Sequence, residues 1–153
     1  MKKYIIAFLA AQLSLYTAFA QNDNAAFRAY LYNNEYEVFL DINFYQQDIT
    51  IPGQELYGEL PGYLGKLRNS FCWIITSAKI KTDKQAELSL INDYGSEDLT
   101  ATLVQQNDST YVLKQKDGSA LKVPKNGKWQ KLPKTLEFKK NNVEAKSQLP
   151  KQH

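Results

Sequence analysis

The densest group of reactive side chains in the sequence lies in Asn92-Asp93-Tyr94-Gly95-Ser96-Glu97-Asp98. Three carboxylates, Asp93, Glu97 and Asp98, flank a glycine that frees the backbone between them. Oxygen ligands on a glycine-containing loop can hold Ca²⁺, but this spacing matches no EF-hand pattern. Acids on a turn ordinarily face water, and Ser96 or Asp98 can instead bond the turn's own N–H groups. No metal or other cofactor is expected. A pair of carboxylates could also serve glycoside hydrolysis. Glu35, Glu37, Asp41, Glu55, Glu59, Glu87, Glu97 and Asp98 all qualify by type, and the sequence does not say which two face each other.

The other reactive types exclude more than they offer. His153 is the only histidine and the last residue. A Ser–His or Cys–His nucleophile in a rigid site is therefore excluded, as is a histidine-based zinc or copper site. Cys72 is the only cysteine, so no intramolecular disulfide forms. It lies in the apolar run Phe71-Cys72-Trp73-Ile74-Ile75 and reads as a buried, inert thiol. No glycine-rich phosphate loop is present.

Aromatic residues are the second resource. The chain has 10 tyrosines, of which Tyr30, Tyr32, Tyr36, Tyr45, Tyr57, Tyr63, Tyr94 and Tyr111 follow the first twenty residues. Tyrosine brings apolar area with one polar tip and is enriched at binding surfaces. The expected contact set is Tyr94, Glu97, Asp98 and Tyr63, with Tyr57 and Trp129 behind them. Lys125-Asn126-Gly127-Lys128-Trp129-Gln130-Lys131 interleaves charge and aromatic as a nucleic-acid site would, but lysines on such a hairpin more often guard a sheet edge. No nucleic-acid partner is expected.

These residues need elements to hold them. Lys2 and Lys3, the apolar run Ile5–Phe19 and the small-x-small site Ala18-Phe19-Ala20 form the pattern of a secretory signal peptide over residues 1–20. The run is short for a membrane span, which needs roughly 20 apolar residues. No membrane anchor is expected after cleavage, and the product should be periplasmic or extracellular. Residues 21–26 read as a loose leader, 27–140 as one β domain, and 141–153 as a disordered basic tail. Residues 21–124 hold 9 basic and 14 acidic residues, and 125–153 hold 8 lysines and 2 glutamates. An acidic body thus carries a basic end, and the body suits a cationic partner.

Period-two alternation runs through the domain. It is clearest in Glu35–Tyr45, where Tyr36, Val38, Leu40, Ile42 and Phe44 share one face and Phe39 breaks the polar one. Phe71–Lys81 opens with residues apolar on both faces, as in a doubly covered strand. Ala86–Val104 forms two arms around the acidic tip, with Leu88, Leu90, Leu99, Ala101 and Leu103 inward. Further strands are expected at Phe27–Tyr32, Glu55–Leu60, Thr110–Gln115, Ala120–Val123 and Thr135–Phe138. Tyr63–Ser70 reads as a loop inserted over one end, and Lys116–Ser119 as an Asp-Gly hairpin turn. Nine or ten strands joined by hairpin turns predict an all-β antiparallel meander closed as a small, lipocalin-like β-barrel. A two-sheet β-sandwich is the alternative.

The exported start together with INDYGSEDLTATL, DSTYVLKQKDGSALK and GKWQKLPKTLEF resembles the small exported β-domains of Gram-negative gut bacteria, which implies export and a β fold and no particular activity. STYVLKQKDGSALK is also similar to C-type lysozyme inhibitors, small periplasmic barrels that block lysozyme through one loop. Gly118-Ser119-Ala120 is the segment that resembles that loop, although the cysteine pair typical of many such inhibitors is absent. Lipocalins are an architectural comparison. The resulting expectation is an exported, non-enzymatic binding module for a protein or glycan partner, of the inhibitor or immunity type. The alternatives are a carrier of a small apolar ligand and a carboxylate-pair hydrolase.

Overall fold

The computed structural model describes residues 25–141. The expected signal peptide, most of the leader and nearly all of the basic tail lie outside the described residues. Ten strands form: β1 Arg28–Asn33, β2 Val38–Asn43, β3 Gly62–Lys66, β4 Cys72–Thr82, β5 Gln85–Asn92, β6 Asp98–Asn107, β7 Thr110–Gly118, β8 Lys122–Lys125, β9 Lys128–Lys131 and β10 Thr135–Lys140. Eight of them close an antiparallel barrel in the order β1-β10-β7-β6-β5-β4-β3-β2. β8 and β9 form a separate two-stranded ribbon between β7 and β10. The barrel, not the sandwich, is the fold. Among the described residues no helix is long and apolar enough to cross a membrane.

Alternation explains the closure. Val38, Leu40 and Ile42 of β2, Ala86, Leu88 and Leu90 of β5, and Leu99, Ala101 and Leu103 of β6 all face one interior cluster. Eight strands leave an interior just wide enough for side chains to fill, and here Trp73, Tyr111, Phe27 and Phe138 are the largest fully buried ones. Each such side chain contributes about 1.5–3 kcal/mol on burial. Tyr111 also donates its hydroxyl to Ala26 O at 2.6 Å. That bond, and the burial of Ala26, tie down the last residue of the segment expected to be loose.

A second, smaller core lies outside the barrel wall. Phe39, Ile51, Tyr63, Cys72 and Ile74 form it, beneath the segment that runs from the end of β2 to β3. That segment carries Ile49, bridged to Leu60, and a 3-10 turn at Glu55–Tyr57. It is the covering insertion, so Phe39 is apolar because its face is covered.

Two expectations are overturned together here. Glu55–Leu60 is not a strand, and Tyr63–Ser70 is not an inserted loop, because Gly62–Lys66 is a barrel strand buried on both faces. Its glycines and lysine disguised it. Gly65 stands directly opposite Phe39, and a Cβ there would collide with the Phe39 ring. Lys66 is buried, with Nζ donating to Tyr36 O at 2.8 Å and Glu37 Oε2 at 3.3 Å. Arg68 and Lys66 bond Glu37 and hold its carboxyl below the usual carboxylate range.

The Asp-Gly turn is a third correction. β7 continues through Lys116 and Asp117 to Gly118, which pairs with Leu99 beyond a bulge. Gly118 has φ +100°, and a Cβ there would strike the Asp98 carbonyl and Leu99 Cα. The next hairpin is instead the ribbon, turned at Asn126-Gly127 with φ +52° and +75°, the signs a type I′ turn requires.

The up-and-down order sorts the connections. The turn after β1, the turn between β3 and β4, the β5–β6 tip and the ribbon share one end of the barrel. The segment before β1, the covering insertion and the two-residue turns after β4 and β6 leave from the other.

Candidate binding cleft

The ribbon is held over its end of the barrel by its inward side. Leu121, Val123 and Leu132 join the interior cluster. Trp73, fully buried, donates Nε1–H to Lys122 O at 2.9 Å. Leu121 N donates to Gln115 Oε1 at 2.8 Å, and Leu132 N to Leu121 O at 2.8 Å. These contacts fix where Pro124 and Trp129, directly paired across the ribbon, stand relative to β4.

The β5–β6 tip is built around Asn92, which is buried. Its Oδ1 accepts from Ser96 N at 2.9 Å and Glu97 N at 3.2 Å. Its Nδ2 donates to Ser96 Oγ at 3.0 Å and Glu97 Oε2 at 3.4 Å. Gly95, at φ +70°, lets the chain double back. Asp93 N donates to Cys72 O at 3.1 Å and pins the tip to the start of β4. The tip is a fixed loop.

Between tip and ribbon lies an open cleft of about 340 Å³, lined by Asn69, Ser70, Phe71, Asp93, Tyr94, Pro124, Gly127, Lys128 and Trp129. Phe71 is its centre. The Trp129 ring meets Phe71 edge to face, centroids 5.0 Å apart, and Tyr94 tilts against Phe71 at 6.1 Å. Trp73 meets the same ring edge-on from the core side at 6.5 Å. Tyr94 is nevertheless 72% exposed and Trp129 52%. Both rings rest against Phe71 and remain largely exposed.

Asp93 supplies the cleft's carboxylate. Its Oδ1 is buried and makes no hydrogen bond, and burial pushes its carboxyl above the usual range, outweighing the backbone N–H groups of Cys72 and Asp93 that pull it down. Glu97 is differently placed: Lys122 Nζ lies 2.8 Å from its Oε1, so it joins tip to ribbon. Among the described residues no group of three potential metal-ligating side chains stands together. Comparison with protein-family models, with curated proteins and with solved structures finds no match to this chain.

The six residues expected from sequence thus divide. Tyr94 and Trp129 come together across the cleft. Glu97 supports it through Lys122 and Asn92. Asp98 begins β6 as an exposed residue opposite Ile91. Tyr63 lies in β3, buried beneath the insertion, with its ring edge-on to Phe39 at 5.6 Å, so it is not a surface contact. Tyr57 is half-exposed on the 3-10 turn, in the insertion that leaves the opposite end. Sequence reasoning missed Phe71, Asp93 and Lys128 as cleft residues. Phe71 was absorbed into an apolar run, and only the fold shows that this run begins at the barrel's rim.

Proposed function

We propose that this chain is an exported, non-enzymatic binding module that takes a glycan in the aromatic cleft. One observation carries the reading: Tyr94 and Trp129, large rings left facing water, are both braced against Phe71. Exposed aromatic rings that line one cleft mark an interaction surface. An aromatic face packs on the C–H face of a pyranose, while acceptors such as the Asp93 carboxylate and the side chains of Asn69 and Ser70 suit its hydroxyl groups. Export rests on the signal-peptide pattern of residues 1–20, and the amino terminus of the secreted product should be Gln21.

The alternative readings have less behind them. A carrier asks for space inside the barrel, where Trp73, Tyr111, Phe27 and Phe138 are packed. A carboxylate-pair hydrolase asks for two acids facing across a cleft, and the lining of this one includes Asp93 alone. A cationic protein partner asks for a free acidic tip, whose Glu97 is engaged by Lys122.

A glycan array probed with the mature chain, followed by calorimetry on its hits, tests the proposal. Tyr94→Ala and Trp129→Ala should each weaken binding at least tenfold while leaving the far-ultraviolet spectrum unchanged. An empty array, or hits indifferent to both substitutions, overturns it.

A further inference from the structure

The ribbon beside the cleft is charged in a way that its own folding does not call for. Between Ala120 and Leu136 stand five lysines, Lys122, Lys125, Lys128, Lys131 and Lys134, and no acid. Four of them are set against each other as direct cross-strand pairs, Lys122 with Lys131 and Lys125 with Lys128. Like charges directly opposite oppose strand pairing. Glu97 relieves Lys122. Lys125, Lys128, Lys131 and Lys134 are exposed, without an ion pair among the described residues. Lys128 lines the cleft itself, next to Trp129.

Resting on the glycan reading above, we propose that the ligand of this cleft is an acidic saccharide, its ring stacked on Trp129 and Tyr94 and its anionic substituent paired with Lys128 and Lys125. Charge decides among glycans. The ribbon offers three ammonium groups without an ion pair among the described residues, Lys125, Lys128 and Lys131, with Lys134 just beyond it, and the cleft lining holds a single acid, Asp93. An anion seated between Lys125 and Lys128 also removes the repulsion between them.

Guarding the ribbon's edges is the competing role for these lysines. It differs in one respect: glutamate guards an edge as well as lysine does, whereas it repels an anion. The experiment therefore uses Lys125→Glu/Lys128→Glu. Calorimetry at low and moderate salt would compare oligogalacturonate, its neutral methyl ester, sulfated dextran, plain dextran and a single-stranded oligonucleotide. The proposal expects the wild type to bind oligogalacturonate or sulfated dextran at least tenfold more tightly than the matching neutral sugar. That preference should shrink as salt rises, vanish in the double variant, and depend on Trp129.

Each other outcome overturns it. Equal binding of neutral and acidic sugars, unchanged in the double variant, defeats the charge assignment and leaves the glycan reading standing. Acidic binding indifferent to Trp129→Ala and Tyr94→Ala, or matched by the oligonucleotide, reduces it to general attraction between polyions. No binding of any saccharide defeats both readings. Cys72 protection from a thiol reagent, measured on every variant, separates a lost site from a lost fold.

Discussion

Phe71 and Trp129 meet edge to face at 5.0 Å, one at the threshold of β4 and the other on the ribbon that caps the same end of the barrel. The contact makes a single aromatic surface from two distant parts of the chain, with the buried half in the core and the exposed half in the cleft. The two rings therefore answer differently to removal. Phe71→Ala removes a buried ring and should lower unfolding free energy by about 3 kcal/mol. Trp129→Ala should cost only about 1 kcal/mol, the worth of an aromatic pair, yet lose ligand binding. Urea titrations of both variants, read by circular dichroism, check the contrast.

Asp93 gives the protein a pH signature. Burial raises its carboxyl above the ordinary 3.8, so between that value and its folded-state value the native protein holds more proton than the unfolded chain. Its contribution is full below about pH 3.8 and is lost as pH rises through the folded-state value. Asp93→Asn cannot ionise and should be the more stable variant at neutral pH, with the advantage closing as pH falls. Urea midpoints of the two proteins from pH 3 to pH 8 measure the gap. A gap of constant size across that range would contradict the assignment.

Cys72 reports on the whole fold. It is buried in the outer core, and burial, with the nearby Asp93 charge adding to it, pushes the thiol up to about 12. Thiolate is the reactive form, so the native protein should resist alkylation at pH 8 for hours and be labelled stoichiometrically in urea. Fast labelling of the native chain would mean that the covering insertion opens without global unfolding.

Gly118 cannot be replaced cheaply. A side chain there adopts an unfavourable φ and meets the β6 backbone at Asp98 and Leu99. Gly118→Ala should cost about 2–3 kcal/mol. Gly127 has a positive φ but no atom near its would-be Cβ, so Gly127→Ala should cost about 1 kcal/mol. Thermal midpoints of the pair test whether close approach adds to backbone strain.

Trp73 links the cleft to the core. Trp73→Phe keeps an apolar ring but removes the N–H that holds Lys122 O and leaves both a void and an unmet carbonyl, about 2–3 kcal/mol. Faster amide exchange should be confined to Leu121–Leu132, with weaker ligand binding beside it. Uniformly faster exchange would place the ribbon outside the role given to it.

The barrel was legible because alternation was strong where it mattered: every second residue of Val38–Ile42, Ala86–Leu90 and Leu99–Leu103 faces inward as the spacing requires. What misled was local composition with a tertiary cause. Gly65 reads as loop, yet it is glycine because the Phe39 ring occupies the place of its Cβ. Asp117-Gly118 reads as a hairpin turn, yet the positive φ serves a bulge inside a long strand. Tyr94 and Trp129 stand out by residue type, but no spacing reveals that Phe71 touches both of them. Asp93 drew attention as one acid of a cluster, whereas its position depends on Asn92 and on the Cys72 carbonyl, and neither shows in a count of charges.

The barrel is shut by its first and last strands, Leu31 against Lys140 and Tyr32 against Lys139. A growing chain emerges from the ribosome amino end first, so this seam cannot form until β10 has cleared the exit tunnel. Without that seam β1 and β10 would each be a bare edge, whose hydrogen-bonding groups invite a neighbour. The topology thus makes closure of the barrel depend on pairing two strands far apart in the sequence, the kind of contact that slows folding.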